Sequence, residues 1–148
     1  MSRVVAAARS WIGTAYLHQG SSKAVGTDCL GLVRGVWRAV YGGEPEVVPA
    51  YTADWSEPQH EERLWEAALR HLTPVPPNRA LSDGECLLFR MRDGSVAKHL
   101  GILSRSGETP AFIHAYSGHG VVESALSKPW ARRIAARFDF PATAEPED

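Results

Sequence analysis

The sequence is short of cysteine, and this shortage excludes two kinds of architecture. The 148 residues contain two cysteines, Cys29 and Cys86, which is too few for a disulfide-stapled scaffold. The cysteines form no C-x-x-C pair and the six histidines form no H-x-x-x-H pair, so the ligand spacing of a structural zinc site is missing. We therefore expect neither a disulfide framework nor a bound metal.

The chain also has no excess of charge of either sign and no long apolar run. It carries 16 basic and 17 acidic residues, a formal net charge of −1, whereas proteins that bind nucleic acid are usually strongly basic. The short apolar runs predict no membrane insertion. The N-terminal stretch MSRVVAAARSWIG has no sustained apolar core followed by a cleavage site. It therefore predicts an amphipathic helix, and synthesis in the cytoplasm without a signal peptide.

The order of the periodic segments predicts one α+β domain over residues 1–140. Helical spacing predicts helices over 2–12, from Cys29 to the YGGEP segment, and over about 57–72. Five segments of strand character follow, separated by strong turn signals: ECLLFRM, KHLGILS, AFIHAYS, GVVESAL and RIAARFDF. This order favours N-terminal helices packed on an antiparallel sheet or partial barrel of about five strands. Residues 141–148 are predicted to be a disordered tail.

Cys29 lies in the first turn of the second predicted helix, directly after Asp28, a good N-cap residue. Unpaired backbone N–H groups at a helix start favour a negative sulfur, and this placement can lower the pKa of a thiol. The alternative is a small buried hydrophobic residue, which is the common fate of a free cysteine. The position of Cys29 alone does not decide between a nucleophilic thiol and a buried hydrophobic residue.

Two histidines on consecutive predicted strands favour the nucleophile. Strand alternation places His99 on one face together with Gly101, whose missing side chain would leave room for a helix N-terminus. If the two strands form a hairpin, His114 becomes the cross-strand neighbour of His99. Cys29, His99 and His114 would then supply a nucleophile, a base and a group that orients the base.

At this point the chain resembles the NlpC family of cell-wall peptidases, bacterial relatives of the papain-like fold. The similarity rests on motifs that occur in the family's order: Tyr16 before a glycine-rich loop, Asp28-Cys29 shortly before GLV, then SDGECLLFR, HLGIL and FIHA. The stretch TDCLGLVRGVWR is most similar to the tail-associated branch found in phages and in phage-like gene transfer agents.

The resemblance implies further roles for two residues near the cysteine. Tyr16 would donate its phenolic hydroxyl to the developing oxyanion or to the substrate, and its alternative is an ordinary half-buried aromatic residue. Asp28 would meet the free amine of a stem peptide, and its alternative is the N-cap alone. The backbone N–H of Cys29 is the second expected oxyanion donor.

The activity implied by the resemblance is cleavage of a peptidoglycan stem peptide by a cysteine peptidase without a cofactor, most simply between D-glutamate and the diamino acid. The implied partners are phage-like tail proteins, and the implied place of action is the cell wall, in a virion or tail assembly. Two alternatives stay open: a tail structural module that binds peptidoglycan without turnover, and a thiol acyltransferase or amidase of the same fold.

Overall fold

The computed structural model describes residues 2–52 and 59–142. Its helices are α1 (Arg3–Arg9), α2 (Cys29–Tyr41), α3 (Arg63–His71) and α4 (Lys128–Arg132). Its strands are β1 (Ser21–Ser22), β2 (Gly26–Thr27), β3 (Thr73–Pro74), β4 (Cys86–Arg90), β5 (Ala97–Arg105), β6 (Ala111–Tyr116), β7 (Gly120–Ala125) and β8 (Ile134–Asp139). The α+β prediction is confirmed.

One antiparallel sheet forms the centre of the molecule. Its strand order is β3-β8-β4-β5-β6-β7, so the five predicted strands are present and the two-residue β3 adds a sixth at one edge. On one face, Ile102 and Ile113 pack with residues of α1 and α2 such as Val4 and Leu32. The opposite face has its own apolar cluster, formed by Leu87, Phe89, Leu103, Phe112 and Leu126, against which Trp130 of α4 packs.

The second helix begins and ends where the sequence predicts. The Asp28 side chain accepts a hydrogen bond from the Gly31 N–H, which satisfies one of the free donors of the first turn. Gly42 ends the helix in the left-handed conformation, with φ of 92°. These two signals fix the position of Cys29 at the first helical residue.

Two glycines let α2 lie unusually close to its neighbours. A Cβ atom on Gly31 would lie 1.8 Å from the carbonyl oxygen of Gly20, and one on Gly35 would lie 2.1 Å from the ring of Trp11. Neither neighbour leaves room for a methyl group. The helix therefore packs against both at backbone distance.

The third helix starts later than predicted. It begins at Arg63 rather than near residue 57, because His60 has φ of 55°, which an α-helix does not accommodate. Positions 57 and 58 lie outside the described residues, as does most of the predicted tail, 143–148. None of the helices in the described part of the chain is long and apolar enough to span a membrane.

Candidate active site

Cys29 is held between the start of α2 and strand β5. The residue is 7% exposed, and its Sγ atom lies 3.8 Å from the carbonyl oxygen of Lys98. The backbone N–H groups of Cys29, Leu30 and Leu100 interact favourably with the negative form of the sulfur. The helix start therefore acts on the thiol in the predicted direction.

Burial nevertheless outweighs these N–H groups. Removal from water raises the pKa of the Cys29 thiol to about 12, and the nearby Asp28 carboxylate adds to the rise. The expectation of a lowered thiol pKa is therefore wrong for the free protein, because the sequence shows the helix start but not the depth of burial. At neutral pH the sulfur carries its proton.

The two histidines predicted to be cross-strand neighbours are joined by a hydrogen bond. His99 Nε2 and His114 Nδ1 are 2.8 Å apart, and His114 Nε2 lies 2.9 Å from the hydroxyl oxygen of Ser124 on β7. Strands β5 and β6 pair through Ile102 and Ile113, and this register places both rings on one face. The chain of contacts runs from His99 through His114 to Ser124.

This chain of contacts restricts where the protons can be. For His99 to accept a thiol proton, its remaining nitrogen, Nδ1, must be free of hydrogen. His99 Nε2–H then donates to His114 Nδ1, and His114 Nε2–H donates to the Ser124 oxygen. The Ser124 hydroxyl can accept this hydrogen bond, so the contact is compatible with the tautomer in which His99 is a base at Nδ1.

Aromatic side chains surround the histidine pair and keep it neutral. The Trp130 ring lies 5.8 Å from that of His99 and 5.2 Å from that of His114, and the Phe112 ring lies 4.2 Å from that of His114. Burial lowers the pKa of both histidines, and each is lowered further by a neighbouring histidine. The free site therefore pairs a neutral thiol with a neutral imidazole.

The space beside Gly101 is not used as the sequence suggested. A Cβ atom at Gly101 would lie 2.7 Å from Cδ2 of Phe112, so the missing side chain makes room for the Phe112 ring. The expectation that it admits a helix N-terminus is wrong. The aromatic ring against which His114 packs needs this space.

Asp28 is an N-cap that also ties two loops to the site. Besides the Gly31 N–H, its carboxylate accepts hydrogen bonds from the Gln19 N–H, at 2.7 Å, and from the Tyr51 hydroxyl. The residue is 3% exposed. Burial and the hydrogen bond to Asp28 raise the pKa of Tyr51, so Tyr51 stays a phenol and a donor. The predicted capping role is confirmed.

A cavity of about 170 Å³ brings the predicted residues together. Cys29 and His99 both line it, as do Tyr16 and Asp28, whereas His114 lies behind His99 and is fully buried. Burial, with smaller effects of Cys29 and Asp28, raises the pKa of Tyr16 to about 12, so its hydroxyl is protonated and able to donate. The other lining residues are His18, Tyr51, Met91, Lys98, Ala115, Tyr116 and Ser117.

A larger cavity of about 810 Å³ lies between α2, α3 and the preceding loop, and neither Cys29 nor His99 lines it. Tyr51 borders both cavities.

Within residues 2–52 and 59–142, no group of three or more histidine, cysteine, aspartate or glutamate side chains is arranged to hold a metal ion.

Helices packed on an antiparallel sheet, with a cysteine at a helix start and a histidine on the sheet beside one cavity, define a papain-like α+β fold. The NlpC/P60 family model matches residues 13–137, and the chain belongs to this family. The family resemblance of the sequence is confirmed. No curated protein matches the sequence.

Solved structures of the same fold differ in size. The NlpC/p60 domain of peptidoglycan hydrolase SagA is 24% identical with a TM-score of 0.59, and the match covers 93% of this chain and 97% of that one. A protein similar to lipoprotein, of the NLP/P60 family, from Staphylococcus aureus subsp. aureus Mu50 is 17% identical with a TM-score of 0.59, over 95% of this chain and 41% of that one. An NlpC/P60 family protein from Bacillus cereus ATCC 10987 is 14% identical with a TM-score of 0.62, over 95% and 40%. The chain therefore spans about two fifths of the latter two proteins.

Three residues of the site were not found from the sequence. Tyr51 reaches Asp28 from a loop with no periodicity, and Trp130 comes from the five-residue helix α4, which was not predicted. Ser124 meets His114 through the register of β6 and β7. The strand pattern of GVVESAL contained a signal for Ser124, because alternation places it on the face of Val122, the residue that pairs with His114.

Proposed function

We propose that the protein is a cysteine peptidase that hydrolyses an amide bond in peptidoglycan stem peptides. The observation that carries the proposal is the arrangement at the cavity. Cys29 at the start of α2 shares it with His99, and His114 and Ser124 stand behind His99 in one hydrogen-bonded line. A nucleophile, a base and a group that orients the base are the requirements of thiol catalysis. Membership of a family of peptidoglycan hydrolases supports the substrate class.

The neutral starting state determines the order of events. Sulfur attacks the carbonyl carbon while His99 Nδ1 takes the thiol proton, so that no free thiolate has to exist in the buried site. The negative charge then lies on the carbonyl oxygen, and in this proposal the N–H groups at the start of α2 and the Tyr16 hydroxyl donate hydrogen bonds to it. The imidazolium of His99 gives its proton to the leaving amine, and water hydrolyses the thioester.

We extend the proposal to the bond between D-glutamate and the diamino acid, and to delivery by a phage-like tail. The bond rests on the resemblance to the NlpC family, and the delivery rests on the similarity of TDCLGLVRGVWR to the tail-associated branch. In this setting the substrate partner is the peptidoglycan peptide and the protein partners are tail proteins. Asp28 would act through the N-cap and the two loops that it holds, and also as a site for the amine of the stem peptide.

Mass spectrometry of muropeptides tests the proposal. Purified sacculi digested with the wild-type protein should release peptides with a new amine and a new carboxylate at one bond, and the Cys29→Ala protein should release none. Near-UV circular dichroism of the variant checks that its fold is retained. Cleavage that persists in Cys29→Ala would exclude the assigned nucleophile.

The same digestion separates the alternatives. A module that only binds peptidoglycan would sediment with sacculi without forming products, and an acyltransferase would join the released acyl group to an added amine. Slow alkylation of Cys29 does not distinguish an enzyme from a binding module, since the pKa of the resting thiol is raised in either case. The reaction products therefore distinguish a peptidase from a binding module and from an acyltransferase.

A further inference from the structure

Tyr51 reaches the catalytic cavity from the loop between α2 and α3, and its hydroxyl donates a hydrogen bond to Oδ2 of Asp28. Its carbonyl oxygen accepts a hydrogen bond from Nε2 of His18 at 3.1 Å, and the two rings meet edge to face with their centroids 5.3 Å apart. Glu44, in the same loop, accepts a hydrogen bond from Nε of Arg34 on α2 at 2.6 Å. The fold therefore holds the phenol against Asp28 at more than one point.

The Asp28 carboxylate is a negative group next to the proposed nucleophile, and its burial makes it depend on the protein for hydrogen bonds. The residue is 3% exposed, and its donors are the Gly31 N–H at 2.8 Å, the Gln19 N–H at 2.7 Å and the Tyr51 hydroxyl. The His18 ring lies 3.8 Å from Oδ2, which is too far for a hydrogen bond. Within the described part of the chain, Tyr51 is thus the one side chain that donates to this carboxylate.

This carboxylate opposes negative charge on Cys29. Burial raises the pKa of the thiol most, and Asp28 is the next cause of the rise. A hydroxyl that donates to the carboxylate places the positive end of its dipole against the negative oxygen, and this weakens the negative potential at the sulfur. The positive charge of Arg34 is compensated by Glu44. The Tyr51 hydroxyl is therefore the side-chain group that moderates the effect of Asp28.

We propose that Tyr51 is a positioning residue for the nucleophile, because its hydroxyl holds the Asp28 side chain in place and reduces the opposition of that carboxylate to negative charge at Cys29. The inference rests on the proposed function and adds to it a residue outside the motifs of the family resemblance. Tyr51 acts through Asp28 and needs no contact with the substrate. The loop between α2 and α3 thereby takes part in catalysis.

The experiment compares Tyr51→Phe, which removes the hydroxyl and keeps the ring, with Tyr41→Phe. The Tyr41 hydroxyl donates to the carbonyl oxygen of Pro141, and Tyr41 does not line the catalytic cavity. The control therefore loses one hydrogen-bonded phenolic hydroxyl at another place. Asp28→Asn and the double variant with Tyr51→Phe complete a double-mutant cycle. Asparagine caps a helix as well as aspartate does, so α2 keeps its start.

The first measurement is the rate at which iodoacetamide alkylates Cys29 between about pH 8 and pH 10, followed by mass spectrometry of the peptide that contains it. The thiolate is the reacting form, so the rate reports the thiolate fraction. We expect Tyr51→Phe to react about threefold to tenfold more slowly than the wild type, because part of the effect of one hydrogen bond to a charged group is transmitted to the sulfur. Tyr41→Phe should react at the wild-type rate. Asp28→Asn should react faster, and adding Tyr51→Phe should not change its rate further.

The second measurement is hydrolysis of a synthetic stem peptide. Tyr51→Phe should lower kcat by about threefold to tenfold and leave KM nearly unchanged, because the hydroxyl acts on the charge near the sulfur and not on substrate binding. Tyr41→Phe should have the kcat of the wild type.

Two results would overturn the inference while the proposed function stands. One is that Tyr51→Phe and Tyr41→Phe have the same alkylation rate and the same kcat. The other is that Tyr51→Phe slows alkylation as much in the Asp28→Asn protein as in the wild type, which would show that Tyr51 acts by packing and not through the carboxylate. If the wild type releases no product, the proposed function fails. Alkylation needs no turnover, so the mutant cycle then still decides whether Tyr51 acts on the thiol through Asp28.

Discussion

At the scale of the residue, the chemistry of the site is decided by competition among a few groups around one sulfur. The N–H groups of Cys29, Leu30 and Leu100 favour the thiolate, whereas burial and the Asp28 carboxylate oppose it. Burial is the largest of these effects, so the sulfur of the free protein keeps its proton. In the proposed mechanism His99 takes that proton at Nδ1, because its other nitrogen is hydrogen-bonded to His114.

The Ser124 hydroxyl is predicted to be a positioning residue for this line of contacts. Ser124→Ala removes the acceptor of the His114 Nε2–H, and we expect kcat to fall about fivefold, the effect of losing one neutral hydrogen bond. KM should be unchanged. Ser124→Thr keeps the hydroxyl and should keep the rate, and Ser106→Ala provides a serine control away from the histidines.

Kinetics on a stem peptide and the pH dependence of kcat test this role. The lost acceptor lets His114 turn or change tautomer, so the pH profile of Ser124→Ala should differ from that of the wild type. Equal loss of activity in the threonine and alanine variants would show that Ser124 acts by packing and not through its oxygen.

At the scale of the element, α2 carries Cys29, the proposed nucleophile, to the sheet, and its position depends on close backbone contact. Asp28 and Gly42 define its ends, while Gly31 and Gly35 bring it against the Gly20 carbonyl and the Trp11 ring. A helix displaced by the width of a methyl group would move the Cys29 sulfur away from β5. The contacts of Gly31 and Gly35 therefore affect both the stability of the fold and the position of Cys29.

Gly31→Ala tests this contact. Alanine is favoured over glycine within a helix by about 1 kcal/mol, but a Cβ atom 1.8 Å from the Gly20 oxygen forces the backbones apart, and such overpacking costs about 1–3 kcal/mol. We therefore expect a net loss of unfolding free energy in urea titration, together with lower activity.

Gly43→Ala is the matched control for Gly31→Ala. A Cβ atom at Gly43 has no heavy atom within 4 Å, and the residue is not among those with positive φ. Its unfolding free energy should stay close to that of the wild type. A Gly31→Ala protein as stable as the control would show that α2 can move without cost.

At the scale of the whole molecule, the neutral histidine pair makes stability depend on pH. The pKa values of His99 and His114 are lowered by folding, so the unfolded chain binds protons first as the pH falls. Above the pKa of an unfolded histidine, about 6.5, these two histidines do not reduce the free energy of unfolding. Below that value it falls by up to about 1.4 kcal/mol per pH unit for each histidine.

We expect the melting temperature to decrease between pH 7 and pH 5, measured by calorimetry. His114→Gln should reduce the slope, and His60→Asn, at an exposed position, should not. The carboxylates of Glu44, Glu123 and Asp139, whose pKa values are lowered, contribute above their unfolded pKa values and lose this contribution at lower pH. A melting temperature that is flat from pH 7 to pH 5 would contradict burial of two neutral histidines.

The fold, and the positions of Cys29, His99 and His114 within it, could be predicted because they depend on local patterns. Short stretches of sequence contain the signals for the helix caps at Asp28 and Gly42, for the strand alternation around His99 and for the turns between strands. The late start of α3 depends on the backbone of His60. Trp130, Tyr51 and Ser124 depend on contacts between distant parts of the chain. The Cys29 pKa could not be predicted for the same reason, since burial is a property of the packed molecule.

The depth at which the Cys29 side chain lies has a consequence for how the protein ages. Peroxide and air oxidise thiolates at accessible sites, and a protonated sulfur enclosed by a helix and a strand offers them little to react with. A molecule waiting for its substrate in an oxidising environment would keep its reactive group without a reductant. The burial that keeps the proton on sulfur therefore also shields the sulfur from oxidation.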